Sequence, residues 1–146
     1  MSEFLLDTNV LSEFSKRGGA DPVVKRWLTA ADDLSLYTSV LTLAEIRRGI
    51  ELLETGKRRS ELEHWLTNDL RPSLGNRVLA VSEAIGGRWA VLSVQLQRKG
   101  ITLATIDGLI TATALEHNLT VVTRNVRDFA QSGVQLVNPW EVGSPT

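Results

Sequence analysis

Apolar residues along this chain fall into two kinds of pattern: short unbroken runs, and longer stretches in which they recur at helical spacing. Phe4-Leu5-Leu6 is the first run and predicts a buried strand over residues 3–7. Val10, Leu11 and Phe14 then recur with a helical period, predicting a helix over 9–17 that Gly18-Gly19 stops. Asp21-Pro22 pairs an N-cap with proline at the first helical position. The helix it opens runs to about Ala31 and is expected to bury Val23, Val24, Trp27 and Leu28. After a turn at Asp32-Asp33, residues 34–39 read as a strand covered on both faces. Thr42-Leu43-Ala44-Glu45 has the form of a capping box and predicts a helix through about Glu54.

The second half repeats the alternation. A helix over 57–70 carries Leu62, Trp65, Leu66 and Leu70 on one stripe, and 77–81 reads as a short strand. Ser82 caps a helix over 83–98 bearing Ile85, Trp89, Leu92, Val94 and Leu96. Another helix is expected from about Ile106 to Glu116. The run at 119–123 is rich in β-branched residues and is the clearest strand; a loop at 124–133 and a last strand at 134–139 follow. Strands alternating with helices predict an α/β domain with a mainly parallel sheet covered on both sides. In such folds ligands gather beyond the carboxyl ends of the strands, where strand order reverses. Asp7 and Thr123 end two of the predicted strands, so their tips are candidates to be neighbours.

Composition narrows the chemistry. A length of 146 residues suits one domain, 1–146. The absence of cysteine excludes disulfides and thiolate metal sites, and His64 and His117 are too few for an imidazole-based zinc centre. No run approaches the roughly 18 apolar residues of a membrane span. With Glu3 and Asp7 interrupting the N-terminus no signal peptide is visible, so a cytoplasmic protein with no membrane association is expected. The net charge of −1 argues for no global attraction to nucleic acid, although basic pairs such as Lys16-Arg17 and Arg47-Arg48 are clumped.

Four acidic residues stand out by context. Asp7 ends a strand, Glu45 lies in the first turn of a helix, Asp107 opens a helix, and Asp128 follows the strand at 119–123. Each has a purely structural explanation. Asp7 can cap the next helix, Glu45 can complete the Thr42 capping box, Asp107 can favour a helix dipole, and Asp128 can cap a turn. One arrangement explains all four together: carboxylates crowded at one sheet edge and held by a cation. Oxygen donors without Cys suit Mg2+ or Mn2+, and such a site serves phosphodiester hydrolysis.

The segments FLLDTNVLSEF, LTLAEIRRGIELL, ITLATIDGLITATALEHNLTVVTRNVRDF and GVQLVNPW resemble those of PIN-domain ribonucleases. More narrowly, the chain is similar to the VapC toxins of toxin–antitoxin pairs, and to their FitB-like branch. The resemblance runs in order from Phe4 to Trp140. It implies a PIN-like three-layer α/β/α fold and a Mg2+- or Mn2+-dependent endoribonuclease restrained by a small VapB-like antitoxin. By motif, the family's acids fall on Asp7, Glu45 and Asp107. Many relatives carry the fourth acid two residues after the strand-end threonine, where this chain has Asn125; Asp128 supplies the nearby carboxylate. Thr8 and Thr123 match hydroxyl residues lining the family's site. Homodimers, higher toxin–antitoxin assemblies and DNA contact only through the antitoxin are implied in the same way.

Physics and resemblance together assign direct metal ligation to Asp7 and Asp107, and the orienting or deprotonation of a water to Glu45. Arg47, Arg48 and Arg124 are candidates for the RNA backbone. The helix around Trp65 is a candidate groove for an antitoxin segment. A PIN-like module without activity is the alternative, supported by Asn125. A receiver-like phosphoacceptor would need an early acid pair and a late strand-end lysine, and a dinucleotide-binding domain would need a glycine fingerprint; neither pattern is present.

Overall fold

The computed structural model describes residues 2–141. Five short parallel strands form one sheet: β1 (Phe4–Leu6), β2 (Leu36–Ser39), β3 (Val78–Leu79), β4 (Thr120–Val122) and β5 (Leu136–Val137). They lie in the order β3-β2-β1-β4-β5. The chain therefore builds outward from β1 on one side, then returns to pair β4 with β1 on the other. That reversal sits between β1 and β4, in register Leu6 with Val122, so the residues after each strand, Asp7 and Thr123, leave the sheet side by side.

Side-chain alternation along the strands divides the core into two apolar layers. Phe4, Leu6 and Val122 join one layer with Val10, Leu11, Trp27, Leu28, Ile46 and Leu70. Leu5 and Val121 join the other with Ile110, Ala114, Phe129 and Val134. Helices thus cover both faces of an all-parallel sheet, giving the three-layer α/β/α architecture expected from the runs of apolar residues. On the first face lie α1 (Thr8–Leu11), α2 (Pro22–Ala30), α3 (Val40–Glu51), α4 (Lys57–His64) and α5 (Arg71–Leu74). The opposite face takes α7 (Thr105–His117), with α6 (Glu83–Arg98) packed on it, and the short α8 (Val126–Phe129).

Several elements depart from the sequence reading, each for a local reason. The helix expected over 9–17 is only α1 followed by a 3₁₀ turn, Ser12–Ser15. The tighter winding turns Glu13 inward, where its carboxylate accepts from Asp21 N–H (3.0 Å) and pairs with Lys16. The capping box at Thr42 does not form. Ser39 caps α3 instead, accepting from Leu41 N–H at 3.0 Å, so the helix begins before Thr42 and ends at Glu51. Residues 57–70 belong to a longer rod that reaches Leu74. Its middle, Trp65–Leu70, is wound as a π-helix, with Arg71 N–H bonded to Leu66 C=O. Pro72 follows directly; it has no N–H to give and its ring crowds the preceding turn, which a wider winding relieves. The loop read at 124–133 holds α8 and a 3₁₀ turn, Ala130–Ser132, anchored by the buried Phe129. Val23 is only half-buried, as is Trp89, and Val94 faces outward, 43% exposed.

One packing contact bears on function. The ring of Trp89 on α6 packs against α7 at Gly108, next to Asp107. A Cβ at position 108 would lie 2.9 Å from both Cδ1 and Nε1 of that ring. Gly108 therefore sets how closely α7 approaches α6, although a glycine in a helix interior costs about 1 kcal/mol relative to alanine. Gly108→Ala is expected to lower unfolding free energy by about 1–3 kcal/mol, because overpacking outweighs propensity. In a Trp89→Ala background the same change is expected to become neutral or stabilising, and urea denaturation of the four chains checks the change of sign.

Candidate active site

The site begins with what the strand ends dictate. Asp7 is the first residue past β1 and lies at the switch point. Its backbone N–H continues the ladder to Val122 C=O (3.0 Å), which pins it to the tip of β4. One carboxylate oxygen accepts from Thr8 N–H at 2.8 Å, capping α1; the other accepts from the Thr123 hydroxyl at 2.9 Å. Capping α1 with one oxygen therefore leaves the other to join Asp7 to the end of β4. Only 4% of Asp7 is exposed. Burial raises its pKa above the usual aspartate value, although both hydrogen bonds pull the other way.

Thr123 is the junction of the network. Its hydroxyl donates to Asp7 and accepts from Asn9 Nδ2 (3.2 Å) and from the Asn125 backbone N–H (3.0 Å). A hydroxyl has one proton and two lone pairs, so this one is saturated and its orientation fixed. Asn9 reaches across with its other side-chain atom, Oδ1 accepting from Arg124 N–H at 3.1 Å. Two residues of the D-T-N segment thus clamp the end of β4.

Glu45 lies well inside α3, released from any capping duty. The Thr8 hydroxyl donates to its Oε1 at 2.7 Å across 37 residues of sequence, linking the α3 acid to the residue beside Asp7. Asp107 sits half-buried in the first turn of α7. Its pKa is pushed up to about 6, first by burial and then by the negative charges of Asp7, Glu45 and Asp128. All four acids singled out in the sequence consequently share one electrostatic neighbourhood. Asp128, exposed in the first turn of α8, stands furthest out by influence.

The remaining candidates divide. Asn125 is exposed and its side chain caps nothing; its backbone serves Thr123. Arg47 is engaged with Glu51 one turn on, Nη2 to Oε1 2.7 Å, which leaves it less suited to RNA than the sequence suggested. Arg48 is exposed and shares a helix face with Glu45, three residues before it. Arg124 is exposed at the tip of β4, its guanidinium 4.8 Å from the ring centroid of Trp140. Two contributors escaped sequence reasoning: Asn9, whose bridging role could be suspected only from its place in D-T-N, and Trp140, which follows β5 in sequence and whose meeting with Arg124 depends on strand order.

The donor set at this edge is all oxygen, which suits a hard divalent ion. Asp7 and Asp107 both have raised pKa values, first through burial and, for Asp107, then through the negative charges of its neighbours. Among the described residues no three Asp, Glu or His side chains form a ready-made metal-binding group.

The family model for the PIN domain matches residues 4–133. VapC ribonuclease Y4jK of Sinorhizobium fredii is 36% identical over 137 residues, 94% of this chain and 97% of its own length. Toxin FitB of Neisseria gonorrhoeae is 36% identical over 136 residues, 93% of this chain and 97% of its own. The crystal structure of FitAcB from Neisseria gonorrhoeae superposes with a TM-score of 0.88 at 34% identity, covering 95% of this chain and 99% of that one. With its acids at the switch point of an all-parallel sheet and relatives matched over nearly their whole length, this chain belongs to the PIN-domain family, among the VapC- and FitB-like proteins.

Proposed function

We propose that this chain is the toxin of a VapBC-type toxin–antitoxin pair, a Mg2+- or Mn2+-dependent endoribonuclease that hydrolyses RNA phosphodiester bonds. The observation that supports the reading is the hydrogen-bonded chain from Thr123 through Asp7 and Thr8 to Glu45, with Asp107 close enough for the charges of Asp7, Glu45 and Asp128 to help raise its pKa. Asp7 and Asp107 are the residues that would hold the ion. When bound, that ion would supply an activated water and charge stabilisation at the phosphate.

The rest of the chemistry belongs to the protein. Thr123 and the Thr8 backbone fix both oxygens of Asp7, so its orientation needs no adjustment when substrate arrives. The Thr8 hydroxyl holds Oε1 of Glu45, leaving Oε2 to accept the proton of the attacking water. Asp128 and Asn125 stand at the outer edge, where they act through water. Arg124 and Arg48 would meet the RNA backbone; binding should then weaken with salt.

The partner reading follows from the relatives. A VapB-like antitoxin segment would lie in the apolar grooves lined by Trp65. One is a cavity of about 560 Å3 that also meets Leu11, Phe14, Leu28 and Leu70. The other, about 230 Å3, extends past Leu62 to Thr8 and Glu45. A segment following the second groove would end at the proposed catalytic acid, so occupying it and blocking cleavage are one event. A homodimer and a higher toxin–antitoxin assembly, bound to DNA through the antitoxin, complete the proposal, together with action in the cytoplasm.

Asp7→Asn is expected to reduce metal-dependent cleavage of a single-stranded RNA at least about 100-fold while circular dichroism stays native. A capping role alone would instead lower the melting temperature and leave cleavage intact. A second test uses the pH dependence of Asp107. Its folded pKa, about 6, lies above the ordinary 3.8, so the metal-free folded chain loses stability as pH rises through that interval. Asp107→Asn is accordingly expected to raise the metal-free melting temperature at pH 7.5 by about 2–4 °C and to have no such effect at pH 4. Mg2+ should stabilise the parent chain at pH 7.5 and progressively less below pH 6, where a proton competes for Asp107; differential scanning calorimetry measures both.

A further inference from the structure

Arg124 immediately follows Thr123, the residue that fixes Asp7, and its own backbone N–H is fixed by Asn9 at 3.1 Å. Its guanidinium meets no carboxylate among the described residues, although four acids lie at this end of the sheet. It rests instead over the face of Trp140, 4.8 Å from the ring centroid. Trp140 is itself well placed to hold it. The residue is half-buried and packs against the first apolar layer, its N–H bonds Asn138 Oδ1 at 3.0 Å, and Pro139 before it is buried. Val137 C=O accepts from Thr123 N–H at 3.0 Å, so the segment carrying Trp140 is registered against the strand carrying Arg124.

We propose that Trp140 is a positioning residue for RNA. It holds the Arg124 guanidinium by its flat face, so that the in-plane N–H edge is presented to a backbone phosphate beside the acidic cluster. The inference rests on the nuclease reading and adds to it the device that keeps a phosphate-binding cation in place. The physical case is one of competing partners. An arginine near carboxylates would ordinarily pair with them, losing its own donors and removing charge from the metal site. Stacking on indole satisfies the cation through the ring's negative face and leaves all in-plane donors free. It also lowers the entropy lost when a flexible side chain is immobilised on substrate.

The test measures binding of a single-stranded oligoribonucleotide by fluorescence anisotropy, in a cleavage-deficient Asp7→Asn background, over a range of salt concentrations. Trp140→Leu, which keeps apolar volume and loses the ring, is expected to weaken binding about tenfold. It should also flatten the slope of log K against log salt by about 0.7, the loss of one phosphate contact on a single strand. Arg124→Gln should reproduce both effects, and the double variant should bind no more weakly than either single one. Trp140→Phe, which retains a smaller aromatic face, should recover most of the affinity and the full slope. A purely structural role for Trp140 predicts a lower melting temperature with the salt slope unchanged, and that result overturns the proposal. So does parental binding by Arg124→Gln, which stays informative even where Trp140→Leu folds poorly. A parent chain that binds RNA with this pattern but never cleaves it with Mg2+ or Mn2+ sinks the nuclease reading and supports the pair; a chain that binds no RNA sinks both.

Discussion

Everything at the functional end of this molecule depends on holding mutually repelling carboxylates within one another's reach. Such a cluster is not a natural product of folding. Burial and like charge both oppose ionisation, and Asp107, with its pKa near 6, registers that opposition most directly. The parallel sheet supplies the counterforce. β1 and β4 are paired at the centre of the sheet, and the ladder between them runs on from Leu6 and Val122 to the hydrogen bond between Asp7 N–H and Val122 C=O. The acid at the tip has no freedom to swing away from its neighbours. Apolar layers on both faces hold the strands, so the stability of the core is what keeps the charges together.

The threonines carry that constraint from backbone to side chain. Neutral hydroxyl and amide donors orient a carboxylate without supplying a compensating charge, whereas arginine or lysine would neutralise it. Thr8 and Thr123 both donate to site acids, at 2.7 and 2.9 Å, and among the described residues no lysine or arginine forms an ion pair with Asp7, Glu45, Asp107 or Asp128. The ion pairs found here, such as Arg59 with Glu51 and Glu63, knit helices elsewhere. Among the described residues charge is therefore paired where it ties helices together and is not paired with lysine or arginine at the four acids.

How much of this was legible in the sequence depends on whether the decisive contacts were local. Asp7 at a strand end and Asp107 in a first helical turn could be found because periodicity alone marks those positions. Glu45 was found for its acid but given a capping partner it does not have. Thr42-x-x-Glu45 matches the capping box, yet Ser39 stops the strand earlier and takes the cap, a choice decided by where β2 leaves the sheet. The π winding before Pro72 and the short helix inside 124–133 were invisible for a similar reason. One is a compensation within a rod whose length tertiary packing sets, and the other is nucleated by Phe129 reaching the core. Asn9 and Trp140 lay beyond local reasoning altogether, since the one bridges 114 residues of sequence and the other meets Arg124 only because β5 pairs with β4.

The placement of Arg124 follows from the same economy of charge. A site that binds both a divalent cation and a phosphate, as proposed here, would need positive charge close to its acids without contact between them. Distance alone would weaken the attraction for phosphate, and direct pairing would cancel the attraction for metal. A π face is the partner that avoids both, because it attracts a cation through a quadrupole and carries no net charge of its own. The strand order supplies this geometry without further machinery. Thr123-Arg124 follows β4 directly and Trp140 follows its neighbour β5, so one end of the sheet brings together an acid-fixing hydroxyl, a guanidinium in no ion pair among the described residues and the ring it lies over. The sheet that brings negative charges together thus also sets a guanidinium beside an aromatic face instead of an acid.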